Sequence, residues 1–306
     1  MTCTTSAAAG KKRRAVSAAS DMTGPSDPPS SQPSPSLSAL LAEDGAGANY
    51  GLRQCRYGPM LFNRRDRYVG RSLEVYGEYS DWEIVVLRQI LRPGAIIVEA
   101  GANIGAHTVP LARIAGPEGA VHAYEPQRLQ FQLLCANLAL NGLTNVIARP
   151  EALGAAPGRL RVPWLDPAAE HNFGGVSLET QGEGEIVSVA TIDGLGLRHL
   201  DLLKADVEGM EQAVLAGGRE TIGRSRPVLY VECDRRDRAP ALIRTILDHG
   251  YRAWWHLPLY FNPGNYAGNP ENFFPNHVSC NLLALPAERA GLSSRRPPAS
   301  RPRPAT

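Results

Sequence analysis

The stretch Ala95-Ile-Ile-Val-Glu-Ala-Gly-Ala-Asn-Ile-Gly-Ala-His107 constrains the chain more than any other. Its opening residues form an unbroken apolar run, short enough for a strand and lacking the alternation of a half-exposed one. That pattern reads as a strand covered on both faces of a parallel sheet. Gly101 to Gly105 form a tight turn, and Val109, Leu111, Ala112 and Ile114 follow at helical spacing. Glycine permits positive φ and close backbone approach, and the first helical turn leaves N–H groups without partners. Ligands of open α/β sheets bind at such places, outside the carboxyl ends of strands. A dinucleotide is disfavoured, because the fingerprint G-x-G-x-x-G is not met: Asn103 stands between glycines at 101 and 105.

The same grammar repeats along the chain. Residues 80–91 carry Ile84, Leu87 and Leu91 at helical spacing and stop before Pro93-Gly94, after a lead-in over 57–75. A second strand spans 120–124, a helix through Leu129, Leu133, Leu134 and Leu138 closes on Asn141-Gly142, and a third strand begins at 145. Residues 155–184 are rich in Gly, Pro and small polar residues, as expected of a hairpin or irregular excursion over the active face. Strand patterns return at 185–191, 201–205 and 227–231, with a helix over 208–216. A helix over 239–249 and strands over 251–256 and 280–285 complete the order. Strands alternating with helices predict an α/β sandwich: a mostly parallel, Rossmann-like sheet with helices on both faces and right-handed crossovers.

Composition narrows the class. A net charge of +2 over 306 residues gives no basic field for nucleic acid. Residues 1–45 are rich in Ser, Pro, Ala and Gly and read as a disordered leader, and 291–306 as an Arg/Pro-rich disordered tail. Between them, 46–290 are expected to form one domain with its core at 77–257. The basic cluster Lys11-Lys-Arg-Arg14 is not followed by the ~7–15 apolar residues of a secretory signal. No window approaches the ~18 apolar residues of a membrane span, so a cytoplasmic protein is the expectation. Cysteines 3, 55, 135, 233 and 280 are scattered without a C-x-x-C pair and imply neither zinc nor a disulfide framework. Cys135 and Cys233 read as small core residues.

Glu99, Glu125, Asp206 and Glu232 each close an apolar strand, which brings them to one edge of the sheet. Carboxylates there can accept hydrogen bonds from a vicinal diol or an ammonium group. The alternative for any one of them is a helix cap or a solvated loop acid.

Glu99-Ala-Gly-Ala-Asn-Ile-Gly105 resembles motif I of class I S-adenosylmethionine-dependent methyltransferases, and its wording is similar to the FkbM-type family. A second block, Asp201-Leu-Leu-Lys-Ala-Asp-Val-Glu-Gly-Met-Glu211 with Val214-Leu-Ala-Gly217 and Arg226-Pro-Val-Leu-Tyr-Val-Glu232, resembles that family's signature at every polar position. The resemblance implies S-adenosylmethionine as cofactor, held by Glu99, Gly101, Asn103, Gly105, Glu125, Glu151 and Asp206. Within it, Glu125 matches the acid that binds ribose hydroxyls, Glu99 the motif I acid near the methionine portion, and Glu151 the segment beside adenine.

Methyl transfer from a sulfonium is an in-line displacement, so the protein must align the reacting atoms and exclude water. A hydroxyl nucleophile also loses a proton, which calls for a base. Asp206 leads the candidates, with Glu208, Glu232, His256 and His107 behind it. Glu208 reads equally as a first-turn helix acid, His107 as a first-turn helix residue and His256 as a core neighbour of Trp254-Trp255. Lys204 sits in an apolar strand and is expected to pair with an acid. His171-Asn-Phe-Gly-Gly-Val-Ser177 resembles the family's insert near the acceptor, and 260–274 offers aromatics and amides for an acceptor pocket. The expected partner is a small hydroxyl acceptor, glycosyl or polyketide, with no metal ion. The alternatives are an N-methyltransferase, a protein or lipid acceptor, a cofactor-binding module without turnover, and an NAD-dependent oxidoreductase.

Overall fold

The computed structural model describes residues 49–177 and 183–290, so the expected leader and tail lie outside the described residues. The chain opens with a hairpin, β1 (Tyr50–Cys55) and β2 (Gly58–Asn63), and the helix α1 (Val69–Tyr76). Asp66 starts that helix by accepting from Tyr68 N and Gly70 N at 3.1 and 3.0 Å. The lead-in is therefore a hairpin and helix that polar turn residues obscured in the sequence.

Helix α2 (Asp81–Ile90) precedes β3 (Ile96–Ala100), α3 (Thr108–Ala115), β4 (Ala120–Tyr124), α4 (Arg128–Leu140) and β5 (Val146–Arg149). A side sheet of β6 (Ala152–Leu153), β7 (Gly158–Val162) and β8 (Glu185–Ala190) follows, in the order β6-β8-β7. The 155–184 excursion thus contributes β7, which pairs antiparallel with β8, and part of the connection between them, 178–182, is outside the described residues. After it come β9 (Leu202–Ala205), α5 (Glu211–Ala216), α6 (Arg219–Ser225), β10 (Val228–Glu232), α7 (Ala239–Asp248), β11 (Tyr251–His256), β12 (Asn281–Pro286) and α8 (Ala287–Ala290). The helix expected from 208 starts at Glu211, because Glu208 and Gly209 hold φ of +55° and +101° and form a loop.

The central sheet runs β11-β12-β10-β9-β3-β4-β5. Pairings from β10 through β5 are parallel, and β12 is antiparallel to both of its neighbours. Strand side chains alternate between two cores. Val98, Leu203 and Leu229 pack with Val214, Ile222, Leu242 and Ile246 on one face. Ile97, Leu202 and Val228 pack with Ile84, Leu87, Leu111 and Leu134 on the other. Each large aliphatic side chain removed from water this way contributes about 1.5–3 kcal/mol. Two positions away on that second face stand Glu99, Lys204 and Tyr230, paired in register across β3, β9 and β10. A polar row therefore crosses the apolar sheet just below its carboxyl edge. Cys233 is buried as expected, but Cys135 is on the exposed side of α4, so it is not a core residue.

The two flanks of the domain meet over this edge. Glu78, buried after α1, accepts from Arg56 Nε at 2.7 Å, Asn262 Nδ2 at 2.9 Å and Tyr266 N at 2.7 Å. Tyr76 Oη donates to Glu271 O at 3.0 Å and accepts from Phe273 N at 2.8 Å. Asn262 and Asn269, in the stretch expected to shape an acceptor pocket, bind their loop to residues 75–78, and Asn265 braces that loop from within.

Candidate active site

The turn after β3 is held against two strands at once. Gly101 N donates to Tyr124 O at 2.9 Å, and Asp206 N donates to Ala100 O at 3.0 Å. Gly101 has φ +80°, and a Cβ there would lie 1.8 Å from Asp206 O, so both its conformation and its surroundings require glycine. Asn103, at φ +50°, donates its N–H to Glu125 Oε2 at 2.8 Å, and its Oδ1 accepts from Gln130 Nε2 at 3.0 Å. Gly105 closes the turn at φ +86° with its N–H on Ala102 O at 2.9 Å.

Glu125, just past β4, also accepts from Gln127 N at 2.8 Å. Each of its oxygens is thus fixed by one backbone N–H and retains a lone pair for a diol. Burial pushes this carboxyl up to about 7 against those two N–H bonds, with Asp206 and Glu99 adding to the rise. Glu125, Glu151, Pro126, Leu153 and Met210 line a small recess beside the turn.

A larger cavity of about 380 Å³ opens beside it, along the ends of β3, β9 and β10. On its floor, Thr108 Oγ1 donates to Glu99 Oε2 at 2.6 Å. Lys204 Nζ lies 3.7 Å from Glu99 Oε1 and 3.9 Å from Asp206 Oδ2, so the buried ammonium is paired as expected. Asp206 and Glu232 project into the cavity, and Glu208 joins them from the loop after β9. Burial raises Glu232 to about 11, helped by Asp206, Glu208 and Asp234; Glu208 rises to about 7, chiefly from burial and then from Asp206. Asp206, Glu208 and Glu232 offer oxygens within 4.8 Å of one another, a spacing compatible with a cation. Side chains already face two of them, since Arg235 Nη2 donates to Glu208 Oε2 at 2.6 Å and Lys204 faces Asp206.

His107 lines this cavity, and burial, assisted by Lys204, pushes it down to about 3, so it is neutral at working pH. His256 does not line it: its Nδ1 lies 2.7 Å from Tyr230 Oη, on the strand at the sheet edge. The position expected of a base at 256 is therefore a partner of Tyr230. Asn172, Gly174 and Gly175 reach the cavity from the excursion, and Gln127 Nε2 holds that segment through Phe173 O at 2.7 Å. Of 260–274, Tyr260 reaches the cavity. Tyr68, Tyr79, Asp234, Asn276 and His277 also line it and carried no motif. Tyr68 packs on Tyr260, Phe274 and His277 at centroid distances of 5.9, 6.2 and 5.7 Å, a contact between distant segments invisible to local pattern.

A glycine turn, a buried acid after the second parallel strand, and acids at the next strand ends define an α/β methyltransferase type of site. Residues 99–253 match the methyltransferase FkbM domain. The chain belongs to that family, whose members are S-adenosylmethionine-dependent methyltransferases. It is 30% identical over 154 residues to methyltransferase sdnD of Sordaria araneosa, covering 40% of this chain and 59% of that protein. It thus spans about three fifths of the relative's length. Methyltransferase FkbM from Methylobacillus flagellatus is similar with a TM-score of 0.43 and 18% identity, over 71% of this chain and 55% of that one. The O-methyltransferase TomG from Streptomyces achromogenes gives a TM-score of 0.41 and 13% identity, over 67% and 78%.

Proposed function

We propose that this protein is a cytoplasmic enzyme that methylates a hydroxyl of a small metabolite, sugar or polyketide. The supporting observation is the convergence of the Gly101 turn, Glu125 and the acids at 206 and 232 on one continuous edge. S-adenosylmethionine, when bound, supplies an activated methyl group on sulfur with a good leaving group.

The remaining work belongs to the chain. Glu125 holds the ribose hydroxyls with its free lone pairs, and Glu151 flanks the adenine recess. The Gly101 turn lets the backbone approach the donor without a side chain between them. Asp206 takes the hydroxyl proton, with Lys204 at 3.9 Å orienting its carboxylate. Glu208 and Glu232 form the wall beside it. Tyr68, Tyr260 and the 172–175 segment cover the cavity and limit water at the transfer point.

The experiment that tests this reading incubates the protein with labelled S-adenosylmethionine and metabolite extracts and identifies the labelled product. A methylated hydroxyl supports it, and a methylated amine or macromolecule replaces the acceptor class. With that acceptor in hand, Asp206→Asn is expected to lower kcat by about 100-fold or more and to change S-adenosylhomocysteine affinity little. Unchanged turnover would remove Asp206 as the base.

Glu125 makes donor binding pH-dependent. In the free protein its protonated form contributes stability that is present below 4.5 and lost as pH rises through about 7. The ionised form is the better diol acceptor, so S-adenosylhomocysteine affinity is expected to rise from about pH 6 to about pH 8. Calorimetry on Glu125→Ala should show weaker binding and a flatter pH profile. A mutant profile as steep as the parent's would assign the dependence to another group.

A further inference from the structure

The central sheet ends on β11, and among the described residues nothing pairs with the outer side of that strand. Its edge continues past His256. Leu259 bridges Val278, Ser279 N donates to Pro258 O at 3.0 Å, and Tyr260 N donates to His277 O at 3.1 Å, so the ladder with β12 resumes there. The edge from 251 to 259 therefore runs from the base of the sheet to the mouth of the cavity, where Tyr260 and His277 stand. Natural edge strands are blunted by lysine, inward charge or shortness. In Tyr251-Arg-Ala-Trp-Trp-His-Leu-Pro-Leu259 the one formal charge is Arg252, and Pro258 comes only near the end. Trp254, Trp255, Leu257 and Leu259 are 46%, 53%, 53% and 51% exposed. At the opposite edge, β5 is shorter and closes on Arg149-Pro150.

We propose that two copies of this chain join along β11, antiparallel about a two-fold axis, into one continuous sheet. Trp254 and Trp255 project to opposite faces, since the residues they pair with, Leu283 and Leu282, pack into different cores. A helix laid on the sheet covers one face, whereas a strand added at the edge covers both. A second copy of β11 suits this edge in charge. A two-fold perpendicular to the sheet brings like faces together, so Arg252 and Trp254, which share a face, become direct or diagonal neighbours of the same pair in the second copy. Each guanidinium then meets an indole across the interface. The stretch has no carboxylate, so pairing buries no acid without a counter-charge. The area is also sufficient. On side-chain areas of about 150–250 Å², the four exposed side chains leave roughly 400 Å² uncovered per copy, or about 800 Å² in a pair. The backbone of the two edges carries the total to the ~1,000 Å² that a specific interface needs. Each chain has this edge once, so the assembly closes at two copies.

Sedimentation velocity on the full chain tests this. A micromolar interface is nearly saturated at roughly 100 μM chain, where the unaltered protein is expected to have twice the mass of one chain. Trp254→Lys combined with Trp255→Lys should raise the dissociation constant at least about tenfold, a change of about 1.4 kcal/mol, with far-ultraviolet dichroism unchanged. Trp164→Lys, the same change at an exposed tryptophan after β7, should leave the mass as it is. Hydrogen exchange needs no substitution: amides of β11 should slow as the concentration rises through the dissociation constant, while those of β5 should not. A single-chain mass at the high concentration overturns the proposal and leaves the edge to an unlike partner. A dimer that survives the double substitution, assembly beyond two copies, or exchange in β11 that ignores concentration overturns it as well.

Discussion

Alanine in place of Gly101 is expected to abolish donor binding and to destabilise the protein by at least ~2 kcal/mol. The added Cβ would meet a backbone oxygen at 1.8 Å, and φ of +80° is a conformation that a side chain penalises. Neither strain can be relieved locally. The peptide before Gly101 is tied to Asp206 N at 3.0 Å, and its own N–H is tied to Tyr124 O at 2.9 Å. Moving the turn away from β9 would therefore break bonds to two strands and shift Asn103 from Glu125. Gly94 is the matched control, since its φ is +87° and nothing lies within 4 Å of the Cβ position. Its alanine variant should lose only about 1 kcal/mol, the backbone cost alone. Urea unfolding with S-adenosylhomocysteine calorimetry separates the two sites, and equal losses at 94 and 101 would refute the close-approach argument.

Lys204→Met is expected to cost about 3 kcal/mol or more in urea unfolding, because it leaves Glu99 buried without its counter-charge and removes the cation facing Asp206. Glu99 already sits above its ordinary range: burial raises it, and Lys204 and the Thr108 hydroxyl work in the opposite direction. Once the lysine is gone, protonation of Glu99 is the least costly response, so the variant should be most unstable at high pH. Combining Lys204→Met with Glu99→Gln should restore at least ~1 kcal/mol, a coupling expected of directly paired groups. Strict additivity of the two substitutions would show that the 3.7 Å contact holds nothing.

Much of the turn and of the cavity's inner wall was legible in the sequence because it is written locally. The apolar run ending at Glu99, the glycines at 101 and 105 and the strand-ending acids at 125, 206 and 232 each announce themselves within a few residues. The pairing of Lys204 was also legible, since a lysine inside an apolar strand has few other outcomes. What escaped depends on distance along the chain. His256 carries the right chemistry in a strand pattern, but β11 lies at the sheet edge, beyond β12, and sequence spacing cannot reveal that order. His107 looked like a helix residue, and its place on the cavity follows from the turn before it. Tyr68 and His277 lack any motif and reach the site through contacts with segments about 200 residues away. Glu208 read as a helix acid because its left-handed backbone has no local signature apart from the following glycine.

Glu78 has a consequence for how the mouth of the cavity is assembled. The inner wall of the cavity comes from residues 99–234, whereas the outer wall is assembled from the two flanks, with Tyr68 and Tyr79 from one and Tyr260, His277 and Val278 from the other. Glu78 and Tyr76 lock those flanks together through Asn262, Tyr266 and Phe273. Exchanging either flank alone between related chains strands a buried carboxylate and breaks the loop that shapes the mouth. The mouth of the cavity is therefore formed only when both ends of the domain are in place together.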